Sequence, residues 1–249
     1  MLDGIVIVLA SIVSEYVNLT LGLGYGMLMA PILLLAGYSP LQVIPALLAT
    51  QLVAGIIGAF THHKAKNVDF NDTHTRKSTV LLVGANLLGV FLAVNLALSI
   101  PEEWITAYIG LLALTVGITL ISVRKSVFGF SWKKLGVVGT LAGFNKGFTG
   151  GGYGPVMMGG QMLVGGKART SVGITLLAEG LTSLVGFGLL LGYGSIHDWN
   201  LIFPAILGAV IAVPPAVYSA KRFKDDGLGV LIGSIVIGLG ILTLSKIVL

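Results

Sequence analysis

Eight long apolar runs, separated by short polar loops, decide what this chain can fold into. They fall at about 4–36, 41–60, 78–98, 105–123, 135–164, 170–191, 200–219 and 227–245. Most are close to the ~20 residues a helix needs to cross a bilayer. Lipid offers peptide groups no hydrogen-bond partner, so such a run satisfies its own backbone as a helix. Barrel strands would show short alternating segments instead, and these runs do not alternate. The chain has 249 residues, 55% of them apolar and 10% charged, where a soluble domain carries about 25% charge. A chain this short cannot bury so much apolar surface in a water-soluble core. The expectation is an all-α, multi-pass protein of the cell membrane with about eight hydrophobic segments.

Several function classes drop out. There are no cysteines, hence no disulfide scaffold and no thiolate metal site. The four histidines lack metal-ligand spacing, so neither a metal nor a cofactor is expected. The net charge of +5 comes from basic residues in the loops between apolar runs. That pattern belongs to membrane orientation rather than to nucleic-acid binding. Met1, Leu2 and Asp3 offer no basic segment ahead of the first run, so no cleaved signal peptide is expected.

Two runs are too long for one simple span, and each holds a glycine cluster. The first is Gly22-Leu23-Gly24-Tyr25-Gly26 with Pro31 behind it; the second is Gly150-Gly151-Gly152-Tyr153-Gly154 with Pro155. Glycine and proline at this density break a helix. A broken helix survives in lipid only where protein or a cavity satisfies the freed backbone groups. The two regions read as copies. Asn18, the first cluster, Ala36-Gly37, Thr50 and Gly55 are answered by Asn145, the second cluster, Val164-Gly165, Thr175 and Gly180. The shift is 128 residues at the glycines and 125 at the threonines, so this match needs a small gap. The chain is read as one transporter domain over 1–249, with repeat halves at 1–123 and 124–249. Transporters built this way place the substrate at the junction of the halves, beside the broken helices.

Two topologies compete. With eight simple spans and an internal N-terminus, the inner loops carry nine Lys and Arg and the outer ones five, a weak bias. If each broken run enters and returns to one side, the loops 61–77, 124–134, 165–169 and 221–226 share a side. They then hold thirteen of the 15 Lys and Arg, leaving Lys146 in a broken run and Lys246 on the far side. The charge bias favours this second arrangement, with an external N-terminus. Trp104, Tyr108, Trp132 and Trp199 fall near the predicted interfaces, as an aromatic belt would. Pro204, Pro214 and Pro215 imply a kink in the seventh run.

A helix restarting after a glycine break points free N–H groups at whatever fills the gap, a natural oxyanion site. Gly22, Gly24, Gly26, Gly150, Gly152 and Gly154 are therefore candidate substrate-binding positions; close helix packing is their other role. Glu15 and Glu179 are acids inside apolar runs, expensive there unless they face protein, water or a cation. They are the candidate coupling residues, or else structural hydrogen-bonding groups. Lys146 stands beside the second cluster. It suits an anionic substrate, or a pairing with Glu179. Asn18 and Asn145 rank next, ahead of Thr20, Thr149, Gln51 and Thr175; Asn86, Asn95 and Gln161 are weaker.

These motifs resemble the sulfite exporter TauE/SafE family of membrane transporters. The resemblance rests on the first cluster followed by Pro31 to Gly37, on Ala49-Thr50-Gln51-Leu52, on the second cluster with Gly165, and on Arg169-Thr170-Ser171-Val172-Gly173. It covers about residues 5 to 245. It departs from the family after the second cluster, where Gly159 stands in place of the first copy's Pro31 and Pro155 follows directly. The resemblance implies secondary transport of small sulfur-containing anions, such as sulfite or organosulfonates, across the plasma membrane. The expected partners are a small anion, protons as the candidate coupling ion, and membrane lipids; nucleic acid is not among them, and a homo-oligomer is compatible. An anion channel, or a transporter of an unrelated small solute, is the alternative. No nucleophile–base pair is visible, so an enzyme is not expected.

Overall fold

A computed structural model describes residues 3–122, 131–163, 168–220 and 226–248 of the chain. Its elements are ten helices: α1 (Gly4–Leu21), α2 (Tyr25–Leu35), α3 (Pro40–Lys64), α4 (Thr73–Ala97), α5 (Glu102–Ser122), α6 (Trp132–Thr149), α7 (Tyr153–Leu163), α8 (Ala168–Gly192), α9 (Trp199–Ser219) and α10 (Asp226–Val248). The chain is an all-α polytopic membrane protein. Among the described residues five helices are long and apolar enough to cross a membrane: α1, α3, α4, α8 from Thr170, and α9. Ten helices replace eight segments because each long run is two helices, parted at its glycine cluster.

The breaks follow from the residues. Gly22 closes α1 at φ 71° and Gly150 closes α6 at φ 69°. This left-handed conformation is cheap only for glycine. In each, the glycine N–H bonds back to the carbonyl four residues earlier, of Asn18 or Lys146, at 2.7 and 2.9 Å. Elsewhere polar caps start the helices. The Ser39 N–H donates to Gln42 Oε1 at 2.9 Å ahead of Pro40, and Asp72 accepts from the Thr75 N–H at 2.8 Å. α9 runs unbroken through Pro204, Pro214 and Pro215.

Apolar clusters define the two ends of the bundle. One joins Ile7 of α1, Leu34 of α2, Ile44 of α3, Val94 of α4, Ile105 of α5 and Leu201 of α9. The start of α1 and the end of α2 therefore share an end, and α2 runs back the way α1 came. At the other end Leu19 of α1 packs with Ala59, Val172 and Val217, and Met157 of α7 packs with Leu82 and Leu135. α7 in turn runs back towards the start of α6. Asp3, Glu102, Glu103, Asp198 and Lys246 lie at the first end. Lys64, Lys66, Arg76, Lys77, Lys133 and Lys134 lie at the second. Arg124, Lys125, Gly165, Lys167, Lys221, Arg222 and Lys224 are outside the described residues, as is the Arg169 side chain. The Lys246 ammonium donates to the Leu34 carbonyl at 2.5 Å, a cation closing the C-terminal end of α2.

Helices exchange partners across the chain: α1 packs on α9 and α6 on α4, while α3 lies against α8 and α5 against α10. At the centre α2 and α7 start head to head. A Cβ on Gly24 would lie 2.9 Å from the Gly154 N, and one on Gly151 would lie 2.7 Å from the Gly26 carbonyl oxygen. The two glycine clusters thus pack backbone against backbone. Gly154→Ala is expected to destabilise the purified protein by about 1–3 kcal/mol. Gly159→Ala, in open space within α7, should leave stability unchanged or slightly raised. Thermal unfolding in detergent checks both, and an unaltered midpoint for Gly154→Ala would contradict the interlock.

Candidate functional site

α1 to α3 and α6 to α8 share one register. Their bounds, 4–21, 25–35 and 40–64 against 132–149, 153–163 and 168–192, all differ by 128. No gap is needed, which corrects three of the sequence pairings, one of them Gly55, which falls opposite Ser183 rather than Gly180. Asn18 stands opposite Lys146 rather than Asn145. Gln51 stands opposite Glu179, and Thr50 opposite Ala178 rather than Thr175. Matching letters had displaced matching places. Tyr25 and Tyr153 fall in register, as do Gly22 with Gly150, Gly24 with Gly152 and Gly26 with Gly154.

On the first side, Asn18, Gln51 and Glu15 form a closed network, each fully buried. The Gln51 amide donates to Glu15 Oε2 at 2.6 Å. The Asn18 amide donates to Gln51 Oε1 at 3.2 Å and to Glu15 Oε1 at 3.3 Å. Asn18 Oδ1 accepts the Gly24 N–H at 3.0 Å, so the network grips the helix break itself. Glu15 makes no ion pair among the described residues.

At the corresponding places on the other side, Lys146 Nζ donates to Glu179 Oε1 at 2.7 Å. The two side chains are 0% and 1% exposed, which puts the charge pair wholly out of water. Glu179 Oε2 has no partner, and neither do three other buried polar atoms: Asn86 Oδ1, Ser183 Oγ and Ser14 Oγ. Buried polar atoms are nearly always bonded, and two of these orphans stand close together, since Ser183 lies one helical turn beyond Glu179 on α8.

Two tyrosines complete the centre. The Tyr25 hydroxyl lies 3.0 Å from Ser11 Oγ, which donates to the Ala205 carbonyl at 2.6 Å. The Tyr153 hydroxyl accepts from Asn86 Nδ2 at 2.6 Å. Neither ring is among the candidate residues named from the sequence. Their signal was there, since a tyrosine repeated inside two glycine clusters brings a hydroxyl that needs a partner once buried.

The remaining candidates separate. Asn145 accepts from the Tyr108 hydroxyl at 2.5 Å, so Tyr108 turns inward and does not join an aromatic belt. Thr149 Oγ1 donates to the Asn145 carbonyl and accepts the Gly151 N–H at 3.0 Å, tying off the second break. Thr20 bonds back to its own helix, and Gln161 donates to Thr175 at 2.8 Å. Asn95 accepts from Tyr193 away from the core. Gly22, Gly24, Gly26, Gly150, Gly152 and Gly154 all lie at the interlock. Only a cavity of about 10 Å³ opens there, between Gly26, Met27, Thr149, Gly151 and Gly152, room for a single water. A larger cleft of about 510 Å³ opens at the first end of the bundle, lined by Gln42, Pro45, Glu102, Tyr193, His197 and Asp198. None of the sequence-derived binding residues lines it. No group of three or more metal-ligating side chains occurs among the described residues.

The centre is therefore closed to solvent, charged, and built on two glycine breaks in contact. Known proteins bear on what such a centre serves. The chain is 25% identical over 246 residues to the probable membrane transporter protein YtnM of Bacillus subtilis (strain 168), covering 94% of this chain and 80% of that protein. No solved structure matches it. The sulfite exporter TauE/SafE family matches residues 6–243. With that match spanning almost the whole chain, this multi-pass membrane protein belongs to the sulfite exporter TauE/SafE family of membrane transporters.

Proposed function

We propose that the chain is a secondary transporter that carries a small sulfur-containing anion, such as sulfite or an organosulfonate, across the plasma membrane, drawing on the proton gradient. The observation that carries this reading is Lys146, a fully buried cation beside the interlocked glycine breaks. A charge is held in a water-free core only at high cost. An anion that crosses the membrane needs such a charge on its route. Small residues around it let the anion approach the backbone, and α2 and α7 aim their positive ends at the same place. Glu15 and Glu179 are the carboxylates within the centre, and proton uptake there provides the coupling.

Halves 1–123 and 124–249 act in this reading as an inverted repeat. Its support is the common shift of 128, the exchanged packing of α1 on α9 and α6 on α4, and the opposite courses of α2 and α7. Alternating access then amounts to parting the halves at the glycine interlock, first from one end and then from the other. The cleft at the acidic end is the external mouth, and the basic end faces the cytoplasm. The absence of native cysteine makes this orientation directly readable. Asp3→Cys, Ala36→Cys and Ser99→Cys should react with an impermeant thiol reagent added outside intact cells. Asn71→Cys should react only after permeabilisation, and labelling of all four from outside would refute the arrangement.

Transport itself is tested in proteoliposomes with sulfite and organosulfonates, with and without an imposed proton gradient. Saturable uptake is expected. One proton per anion sustains about tenfold accumulation per unit of pH difference, since one unit is worth ~1.4 kcal/mol. The double variant Glu15→Gln/Glu179→Gln should lose that accumulation. Its retention would remove proton coupling from these carboxylates, and the absence of flux for every sulfur anion would remove the substrate assignment.

A further inference from the structure

The two halves fill the same pair of places differently. Asn18 and Gln51 are neutral, and each of their side-chain polar atoms is bonded: they bond to each other, to Glu15 and to the Gly24 N–H. Lys146 and Glu179 are charged and only half engaged. Among the described residues the ammonium, which has three donors, uses one on Glu179, and Glu179 Oε2 has no hydrogen-bond partner. Lys146 also has no acceptor to offer Gly152, the counterpart of the glycine that Asn18 holds. A buried ion pair kept for stability needs its remaining valences filled. This one instead shares its core with the orphaned Asn86 Oδ1 and Ser183 Oγ. Turning the Asn86 amide would only exchange an orphan acceptor for an orphan donor. The pair is therefore built as a site whose second occupant is a small oxyanion, which takes several donors at once.

We propose that Glu179 is a tethered stand-in for the transported anion: the Glu179 carboxylate and the anion occupy Lys146 in turn. This rests on the anion-transporter reading above and adds a rule of exchange to it. When an anion arrives, Glu179 takes a proton from the water on that side and releases the ammonium. When the anion leaves on the other side, Glu179 gives its proton to the water there and returns to Lys146. The pair is neutral when empty, one ammonium against one carboxylate. It is also neutral when loaded with a monoanion, one ammonium and one anion beside a neutral acid. Only neutral forms of the pair cross the membrane, with Glu15 keeping one charge state throughout, so one proton moves with each monoanion and no net charge is transferred.

The groups facing Glu179 are few. α6 brings Lys146, α1 brings Glu15, and α7 brings the Tyr153 hydroxyl. α3 and α4 bring the uncharged Gln51 and Asn86. Glu15 is already held by two side-chain amides, so Glu179 is the carboxylate free to change partners.

The test uses the full chain in proteoliposomes with two probes. Methanesulfonate is a monoanion throughout the accessible pH range, so any pH effect belongs to the protein. Sulfite in mildly acidic medium is the monovalent hydrogensulfite. For the wild type, accumulation of about tenfold per pH unit is expected, unchanged when a potassium gradient with valinomycin imposes a voltage. Glu179→Gln should lose gradient-driven accumulation yet still exchange labelled for unlabelled methanesulfonate, because its empty form carries an uncompensated charge and cannot return. The double variant Lys146→Asn/Glu179→Gln recreates the Asn18–Gln51 amide pair. It should fold with a wild-type elution profile and neither accumulate nor exchange either probe. Voltage-driven accumulation in the wild type overturns the proposal without any variant. So does gradient-driven accumulation by Glu179→Gln, or transport by the double variant. No flux of either probe by the wild type would instead remove the anion-transporter reading on which the proposal stands.

Discussion

Contact between two glycine backbones at the middle of the bundle sets the rest of the architecture. Gly24 lies on Gly154 and Gly26 on Gly151 so closely that a single Cβ on any of them would strike main-chain atoms. Helices normally keep axes 8–10 Å apart because side chains stand between them. Removing those side chains lets two helix breaks share one place. It also lets α2 and α7 start at the centre and run to opposite ends. Neither break would be stable alone in lipid, since each exposes backbone groups that water cannot reach. Asn18 supplies an acceptor for one break, and Thr149 supplies one for the other. Apolar helices around them, with α3 and α8 packed together, keep lipid away.

The energetics of that centre differ between its two sides. The Asn18–Gln51–Glu15 network exchanges amide and carboxylate bonds with few valences left over, which suits a rigid support for a helix break. The Lys146–Glu179 pair has the opposite character. Desolvating two charges costs several kcal/mol per ion, and mutual attraction offsets this only when the remaining hydrogen-bonding capacity is filled. With Glu179 Oε2 bare, the pair contributes little to stability, so stability is a poor explanation for its being there. Losing one partner would nevertheless be severe, since it strands the other charge in a dry core.

The fold class was written in the apolar runs, because lipid leaves helices as the only outcome for such stretches. The breaks were written equally clearly in Gly22 to Gly26 and Gly150 to Gly154. Pairwise bonding was harder to read. Asn18 and Asn145 share a letter, as do Thr50 and Thr175, and matching them forced a gap. The helices place Asn18 opposite Lys146 and Gln51 opposite Glu179, so that a neutral residue in one stretch answers a charged one in the other. Register in a helical bundle is fixed by backbone length and packing, so corresponding places need not carry corresponding letters. Tyr108 misled for a related reason. Its position near a helix start suits an interfacial ring, and only the helix face it occupies sends its hydroxyl to Asn145. The pairing of Lys146 with Glu179 was one of two options that sequence left open. A separation of 33 residues, through a break and a second helix, gives no local spacing from which to choose.

A charged pair in one half and a neutral one at the same places in the other also bears on how many anions a single chain handles. Two equivalent charged pairs at one interlock would bring like charges together in a medium that screens them poorly. One such pair gives a single cation for a single anion. The neutral pair then has a separate duty, since Asn18 can accept the Gly24 N–H and lysine at that place cannot. One break is thereby held by Asn18 and the other by Thr149, so Lys146 has no part in holding a break. A centre made only of saturated amides would hold the halves together and offer an anion nothing. A centre made only of ion pairs would leave the first break without the acceptor that Asn18 gives it. The unequal pairs combine a bonded amide support at one break with a buried charge beside the other.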